Sequence, residues 1–439
     1  MNKFTQFLEK TLVPIANKLS QNNYLGAVTN GFSIALPIIM VGALFTLVNS
    51  LNIEIYQSII TDIGIKPIIS FASTVTTDML SVYAVFLIAK SFSEKEGNDM
   101  ASVYAGMTAL VCFLLMIPLG SIQPEVGAPI TYLPTKFLGS AGLFSAIIIA
   151  LISAKIYGIF VKKNITIKLP ESVPPTIAKS FSAILPGLAI VLVFSIIRWG
   201  FTLTSFNDFN TFIYSIIQEP LVGLGASPFT YILMIMICSL MWFLGIHGGM
   251  IVMPILNMLY MPALMENLAA FEAGSELPNL ITTSSWMNFA SLGGAGGTLG
   301  LCFLMTFFAK SERYKALGKL AIVPGICGIN EPITFGFPMV LNTTMLIPMI
   351  VTPIVTFLIS YACMSLGLVP YPNGVGAALG TPAIFLGFMC VGWQGVILQA
   401  FLICVQIIIY TPFFKTIDNQ ALKTEQEYEK TNELDEQVA

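Results

Sequence analysis

Charged side chains are scarce in this 439-residue chain. Asp, Glu, Lys and Arg together make up 10% of the residues, and histidine occurs once, as His247. A soluble domain carries about 25% charged residues, and a water-soluble fold of this length could not cover its surface with so few. The net charge of −3 is also too small to indicate a nucleic-acid partner. The composition, with 56% hydrophobic residues, therefore predicts an integral membrane protein.

Motifs for metals, disulfides and nucleotides are also missing. The seven cysteines lie in or beside apolar runs, and none belongs to a C-x-x-C pair or lies near His247 in sequence. We therefore expect no metal site, no disulfide framework and no cofactor. The glycine-rich segment 293–300 lacks the Gly-Lys-Ser/Thr ending of a phosphate-binding loop. Its glycines recur four residues apart, which favours close helix–helix contact.

Long uncharged runs locate the predicted membrane spans. A helix needs about 20 apolar residues to cross roughly 30 Å of hydrocarbon. The runs are continuously apolar rather than alternating, which argues against a strand barrel. We predict an all-α integral membrane protein with about ten transmembrane helices, re-entrant hairpins and an N-terminal amphipathic helix. The predicted spans are 28–50, 76–92, 100–119, 137–161, 180–204, 229–246, 247–266, 285–309, 343–369 and 390–413.

Three apolar stretches are broken by proline and glycine, at 208–226, 320–341 and 372–388. Non-helical backbone at membrane depth persists only where it is buried in protein or lines a cavity. We predict re-entrant hairpins at 320–341 and 372–388.

Basic residues orient the predicted spans. Lysines and arginines cluster in the connections 155–179 and 310–319, which places both connections and the Lys-bearing N-terminus in the cytoplasm. Ten crossings return the C-terminus to the same side. We divide the chain into residues 1–204, with the amphipathic helix and the first five spans, and residues 205–414, with the hairpins. Residues 415–439 form an acidic cytosolic tail, which we expect to be solvated and mobile.

Two similar triplets place polar side chains inside apolar runs. They are Gly-Ile-His at 245–247 and Gly-Ile-Asn at 328–330, and the second is followed by Glu331. Glu331 is the only charged side chain between Lys319 and Lys415. A carboxylate at bilayer depth costs about 2.5–3.5 kcal/mol on insertion scales, so it needs a function or a partner. We predict that Glu331 lines a polar cavity; the alternative is that it ties the hairpin to a neighbouring helix.

A site built from these side chains suits a neutral, polyhydroxylated ligand. His247, Glu331 and Asn330 can exchange hydrogen bonds with hydroxyl groups, and Trp242 can pack against their C–H faces. A permanently charged substrate would need more compensating charge than these runs contain. Two plainer interpretations stay open: His247 bonded to a backbone carbonyl, and Trp242 facing lipid.

The residues of both triplets also carry a family resemblance. Gly-Ile-Asn-Glu-Pro-Ile-Thr-Phe-Gly-Phe-Pro (328–338), together with Trp242 and Gly-Ile-His-Gly-Gly (245–249), resembles the membrane (IIC) component of the bacterial PEP-dependent sugar phosphotransferase system. The similarity is to the lactose, cellobiose and N,N′-diacetylchitobiose family and extends over nearly the whole chain. It implies a homodimer in the cytoplasmic membrane, with dimer contacts in 1–204 and a β-linked disaccharide bound in 205–414.

The resemblance also implies a division of chemistry between proteins. The family's sugar-contacting histidine corresponds to His247 and its hairpin glutamate to Glu331. A phosphocysteine on a cytosolic IIB protein, supplied by IIA, phosphorylates the sugar's 6-hydroxyl. This chain carries neither component, so both are expected as separate partners, and the chain itself is a permease subunit. Glu331 would orient or deprotonate the 6-hydroxyl and His247 would bind a second hydroxyl, although which residue acts as the base stays open.

Other functions are compatible with the same residues. A proton-coupled sugar symporter could use Glu331 as its proton carrier. A receptor or channel is a third class, but polar broken helices in only the second half argue against a symmetric pore. The sequence does not choose among cellobiose, diacetylchitobiose and lactose.

Overall fold

The computed structural model describes residues 14, 18, 21–50, 54–76, 78–124, 127–167, 169–170, 173–220, 223, 227–337, 339–376 and 380–438. The predicted N-terminal amphipathic helix lies outside this part of the chain, apart from residues 14 and 18.

Helices make up most of the described chain. They are α1 (Asn23–Ser50), α2 (Glu54–Asp62), α3 (Lys66–Thr76), α4 (Leu80–Lys95), α5 (Ser102–Met116), α6 (Leu143–Lys162), α7 (Pro175–Ser182), α8 (Ile184–Thr202), α9 (Phe209–Ile213), α10 (Pro228–Phe243), α11 (Gly248–Glu272), α12 (Leu299–Phe308), α13 (Glu312–Ile326), α14 (Glu331–Gly336), α15 (Thr343–Ser365), α16 (Phe385–Val391) and α17 (Trp393–Val438). Two π-helical turns lie at Tyr214–Gln218 and Trp286–Ala290. Short 3₁₀ turns lie at Asp99–Ala101, Thr135–Phe137 and Ser140–Gly142. The strands β1 (Gly120–Ile122) and β2 (Ile130–Tyr132) form an antiparallel hairpin that the sequence analysis missed.

Eight segments of the described chain are long and apolar enough to cross a membrane. They are Asn23–Thr46, Lys66–Lys95, Asp99–Met116, Ser140–Lys162, Ile177–Thr202, Gly248–Glu272, Thr343–Ser365 and Trp393–Tyr428. The shorter apolar helices α10 and α12 lie within the two remaining predicted spans. The predicted fold class, an all-α membrane protein, is confirmed.

The predicted span 285–309 is not a single helix, so this prediction is wrong. Residues 285–309 comprise a π-helical turn at Trp286–Ala290, a non-helical loop at 291–298 and then α12. The apolar character of the run is compatible with a span, but its glycines allow the backbone to leave the helix. We call residues 291–298 the glycine-rich loop.

The described chain packs as two compact units. The N-terminal unit contains Lys18–Gly225 and Met253–Pro278, and the C-terminal unit contains Ala226–Val252 and Asn279–Ala439. Helix α11 therefore contributes its first residues to one unit and the rest to the other. The predicted division at residue 204 differs from these units, since residues 205–220 and most of α11 fall in the N-terminal unit.

In the N-terminal unit, α4 packs against α1, α5 and α6. Just beyond its last residue, Glu96 accepts hydrogen bonds from Lys162 Nζ at 2.7 Å and Asn23 Nδ2 at 3.1 Å, and Lys155 Nζ lies at 3.4 Å. The Lys162 hydrogen bond is the main reason that the pKa of Glu96 falls from 4.5 to about 2. This carboxylate therefore has all its charge balanced by neighbouring side chains.

In the C-terminal unit, α17 packs against both arms of the first predicted hairpin. Tyr314 of α13, Phe337 after α14 and Phe414 of α17 are all buried. The ring centroids of Tyr314 and Phe337 lie 4.8 Å apart, and those of Phe337 and Phe414 lie 6.1 Å apart. Aromatic contacts of this kind hold the two hairpin arms against one helix.

The acidic tail is not solvated throughout, which corrects the prediction. Helix α17 continues to Val438, and Asp418 is only 3% exposed. Its carboxylate accepts hydrogen bonds from the amides of Lys310 and Ser311, at 2.8 and 3.1 Å, and from the Ser311 hydroxyl at 2.9 Å. Glu425, two turns on, accepts from the amides of Glu312 and Arg313. The tail therefore begins as a packed helix that caps the start of α13.

Candidate functional site

Two helix ends with the same backbone geometry carry the predicted site residues. Gly245 after α10 and Gly328 after α13 have φ angles of 78° and 77°. In each turn the glycine amide donates a hydrogen bond to the carbonyl three residues earlier, at 3.0 Å. The amide of the isoleucine that follows the glycine donates to the carbonyl five residues before that isoleucine, at 2.9 Å. This pattern is the Schellman cap, which needs a residue tolerant of positive φ. The next side chain is His247 in one turn and Asn330 in the other, so the two triplets share a backbone conformation.

The structure brings His247 and Glu331 together although they are 84 positions apart in the sequence. The amide of Leu341, after α14, donates to the carbonyl of Phe243 at the end of α10 at 2.8 Å. His247 Nε2 and Glu331 Oε1 lie 3.8 Å apart. That distance is too long for a hydrogen bond, so the two side chains do not use each other's hydrogen-bonding capacity. Both side chains are about half exposed, at 48% and 47%.

The imidazole of His247 is oriented from two sides. The amide of Met250 donates to Nδ1 at 3.2 Å. Because Nδ1 is an acceptor, we assign the proton of the neutral ring to Nε2, the atom that faces Glu331. The ring also packs on Trp242, with centroids 4.5 Å apart and an interplanar angle of 49°. Trp242 is 4% exposed, so it is buried behind His247 rather than facing lipid.

Asn330 lies behind Glu331 rather than beside it. Asn330 is only 4% exposed, and its side-chain Nδ2 donates a hydrogen bond to the carbonyl of Ala295 at 2.7 Å. Its own carbonyl accepts from the amide of Thr334 at 2.9 Å and from the Thr334 hydroxyl at 3.0 Å. The four predicted site residues thus divide into an exposed pair, His247 and Glu331, and a buried pair, Trp242 and Asn330.

The glycine-rich loop packs against Asn330, which corrects the prediction of helix–helix contact for this segment. Four of its glycines have φ between 63° and 97°, a conformation that other residues rarely adopt. They are Gly293, Gly294, Gly296 and Gly297. A Cβ atom at Gly294 would lie 2.4 Å from Cγ of Asn330. Glycine is therefore required there by backbone conformation and by space. The predicted close approach of one helix to another occurs at Gly300, in α12, where a Cβ atom would lie 2.6 Å from Cβ of Gln406.

Sequence reasoning missed the residues of α17 that hold this loop. Gln406 Oε1 accepts from the amide of Gly300 at 3.0 Å, and its Nε2 donates to the carbonyl of Leu292 at 3.2 Å. The Tyr410 hydroxyl donates to the carbonyl of Gly296 at 2.7 Å. Both side chains are completely buried. The signal in the sequence was a pair of polar residues four positions apart inside an apolar span.

The second predicted hairpin, 372–388, also reaches this region of the C-terminal unit. The amide of Ala383 donates to the carbonyl of Ile326, the last residue of α13, at 2.8 Å. Gln399 of α17, which is fully buried, accepts from the amides of Ile384 and Gly387 at 2.6 and 3.2 Å. The backbone at the start of α16 is therefore held by a buried glutamine of α17, as the glycine-rich loop is held by Gln406.

These features define a class of protein. Spanning helices that break around a half-exposed carboxylate and imidazole are typical of a membrane permease for small polar molecules.

Comparisons with known proteins give the family. The family model "Phosphotransferase system, EIIC" matches residues 29–353. The chain is 36% identical to the oligo-beta-mannoside-specific EIIC component of Bacillus subtilis (strain 168), covering 97% of this chain and 96% of the relative. It is 35% identical to the cellobiose-specific EIIC component of Geobacillus stearothermophilus, covering 97% of both chains.

A solved structure agrees with this assignment. The crystal structure of the transporter ChbC, the IIC component from the N,N′-diacetylchitobiose-specific phosphotransferase system, matches with a TM-score of 0.89 and 36% identity. The match covers 96% of this chain and 99% of that one. The chain belongs to the EIIC family of the phosphotransferase system and is a multi-pass sugar permease component.

Proposed function

We propose that this protein imports a β-linked disaccharide of the cellobiose or diacetylchitobiose type and presents its 6-hydroxyl to a separate IIB protein. The observation that carries the proposal is the unsatisfied pair formed by His247 and Glu331, 3.8 Å apart and half exposed. The relatives named for oligo-beta-mannosides, cellobiose and diacetylchitobiose support the class of substrate.

The gap between the two groups suits one hydroxyl. A hydroxyl oxygen can lie about 2.8 Å from both Nε2 of His247 and Oε1 of Glu331. It would accept from the Nε2 proton and donate its own proton to the carboxylate. Since neutral His247 already carries a proton on Nε2, Glu331 is the better base. As the bond from oxygen to phosphorus forms, the sulfur–phosphorus bond of the IIB phosphocysteine breaks, the hydroxyl proton passes to Glu331, and thiolate leaves.

Trp242 and Asn330 would act mainly as supports. Each is only 4% exposed, so each has little surface left for a sugar in this conformation. Trp242 fixes the ring of His247, and Asn330 fixes the turn that precedes Glu331. Both therefore belong to the proposed substrate site as supporting residues.

The proposed assembly is a homodimer in the bacterial cytoplasmic membrane with both termini, and the tail 415–439, cytosolic. Dimer contacts would come from residues 1–204, and residues 205–414 would move to carry the sugar. One face of α8 presents large apolar side chains to the outside, including Leu192 at 59% and Trp199 at 64% exposed, and lipid or a second copy can cover it. Light scattering of the detergent-solubilised protein tests the dimer, and a mass of one protomer would contradict it.

Sugar phosphorylation in membrane vesicles tests the proposed function. Vesicles holding the protein, IIB, IIA and a phosphoenolpyruvate-driven phosphate supply should accumulate phosphorylated cellobiose or diacetylchitobiose. Glu331→Gln should abolish this product, whereas Glu276→Gln, at an exposed acid in a loop, should not. Free sugar that is lost on adding an uncoupler would instead indicate the proton symporter.

A further inference from the structure

We propose that Gln406 and Tyr410 of α17 are positioning residues for the sugar site, acting through the glycine-rich loop on Asn330 and so on Glu331. The inference rests on the proposed role of Glu331 in binding sugar. It goes beyond that role, because the hydrogen bonds of Gln406 and Tyr410 go to the loop and to α12 rather than to His247 or Glu331.

Both side chains of this pair point to the same loop. Residues four apart on a helix share a face, and both are fully buried. Gln406 bridges the start of the loop and the first turn of α12, since it donates to the carbonyl of Leu292 and accepts from the amide of Gly300. Tyr410 holds the middle of the loop at the carbonyl of Gly296. The loop is braced internally, because the amides of Gly294, Gly297 and Leu299 donate to the carbonyls of Ser291, Gly294 and Leu292. It should therefore shift as one unit, and the hydrogen bonds from α17 help to fix where that unit lies.

The opposite side of the loop holds Asn330. Ala295 and Gly296 are consecutive, and their carbonyls accept from Asn330 and Tyr410 respectively, each at 2.7 Å. Gly294 adds a steric contact, because no Cβ atom fits between its backbone and Asn330. A shift of the loop on its α17 side therefore moves the acceptor of Asn330. Glu331 is the next residue, and its distance of 3.8 Å from His247 is the quantity that would change.

Equilibrium sugar binding to the purified full-length protein tests the proposal. Tyr410→Phe keeps the ring and removes only the hydroxyl, which leaves the buried Gly296 carbonyl without that donor. We expect binding of cellobiose and diacetylchitobiose, measured by calorimetry, to weaken about tenfold. Tyr428→Phe is the matched control, because Tyr428 lies on the same helix at 71% exposure, and it should leave binding unchanged.

A double-mutant cycle distinguishes positioning from general stability. If Tyr410 acts through Asn330, then Tyr410→Phe should weaken binding little further in an Asn330→Ala background. Independent, additive losses would overturn the proposal. A lower thermal midpoint with unchanged sugar affinity would show a purely structural role and would overturn it as well. Gln406→Met, which keeps the side-chain length, should repeat the loss of affinity if Tyr410→Phe does not fold.

The same measurements separate this inference from the proposed function. If Glu331→Gln binds sugar and supports phosphorylation normally, the proposed function fails, whatever Tyr410→Phe does. If Glu331→Gln is inactive while Tyr410→Phe and Gln406→Met bind sugar like the wild type, only the positioning role is wrong.

Discussion

Glu96 in the N-terminal unit and Glu331 in the C-terminal unit have opposite surroundings. Glu96 accepts hydrogen bonds from Lys162 and Asn23 and lies near a second lysine. Glu331 has no hydrogen bond to its side chain among the described residues, and its nearest cation candidate is His247 at 3.8 Å. Both are carboxylates in a chain that carries few charges. The difference is whether the protein itself supplies the partners.

This contrast separates acids that the fold itself uses from an acid that is available to a ligand. A carboxylate whose two oxygens already accept hydrogen bonds from the protein stabilises the fold and has little accepting capacity left for a ligand. One that is half exposed and left without a hydrogen bond contributes little to folding but can bind a hydroxyl group. Asp418 belongs with Glu96, since backbone amides and the Ser311 hydroxyl occupy its oxygens.

Shortening both acids by one methylene should give the largest difference. Glu331→Asp keeps the charge but draws it back from His247, and a misplacement of about 1 Å can cost roughly 100-fold in rate. We expect about that loss in the initial rate of sugar phosphorylation. Glu96→Asp should keep the wild-type rate, because flexible lysine side chains can follow the shorter acid. Equal losses in the two variants would contradict the distinction.

Removing the Asp418 carboxylate should have the next largest effect, on stability. Asp418→Ala leaves the backbone amides of Lys310 and Ser311 and the Ser311 hydroxyl without that acceptor, and the expected destabilisation is about 2–3 kcal/mol. Asp418→Asn keeps one acceptor oxygen and should lose about half as much. Unfolding of the purified protein in detergent measures both. Asn419→Ala, at the next and exposed position, is the control and should change little.

Much of the fold was predictable because hydropathy and charge act locally. The absence of charges located the spans, and glycine marked the helix ends at Gly245 and Gly328. The break at 291–298 does not follow from hydropathy, because the run is apolar throughout and only its dense glycines permit the backbone to leave the helix. Its backbone conformation depends on partners in α17, more than 100 residues away.

The sequence indicated which polar residues would lie close together but not how exposed each would be, and their role in binding sugar stays a prediction. The chemistry of His247, Glu331, Asn330 and Trp242 followed from polar groups in apolar runs. Which pair is exposed and which is buried depends on tertiary contacts, such as the hydrogen bond from Leu341 to Phe243. No periodicity in either segment encodes that contact. For the same reason Gln406 and Tyr410 looked like ordinary polar residues of a span.

Neutralising Glu96 should have the smallest effect, and its pH dependence follows from the pKa. Glu96→Gln removes contacts with lysines that are 44% and 56% exposed, so the expected destabilisation is about 0.5–1 kcal/mol. The folded-state pKa of about 2 lies below the ordinary value of 4.5. The contribution of the carboxylate is therefore complete above pH 4.5 and is lost as the pH falls through about 2.

Unfolding of the wild type and of Glu96→Gln at several pH values measures this contribution. The difference in unfolding free energy should be the same at pH 6 and pH 8, and it should shrink only below pH 4.5. A difference that already changes between pH 6 and pH 8 would mean that the carboxylate titrates near neutrality. Glu96 would then lack the partners that separate it from Glu331, and the contrast between a satisfied structural acid and an available functional one would not hold.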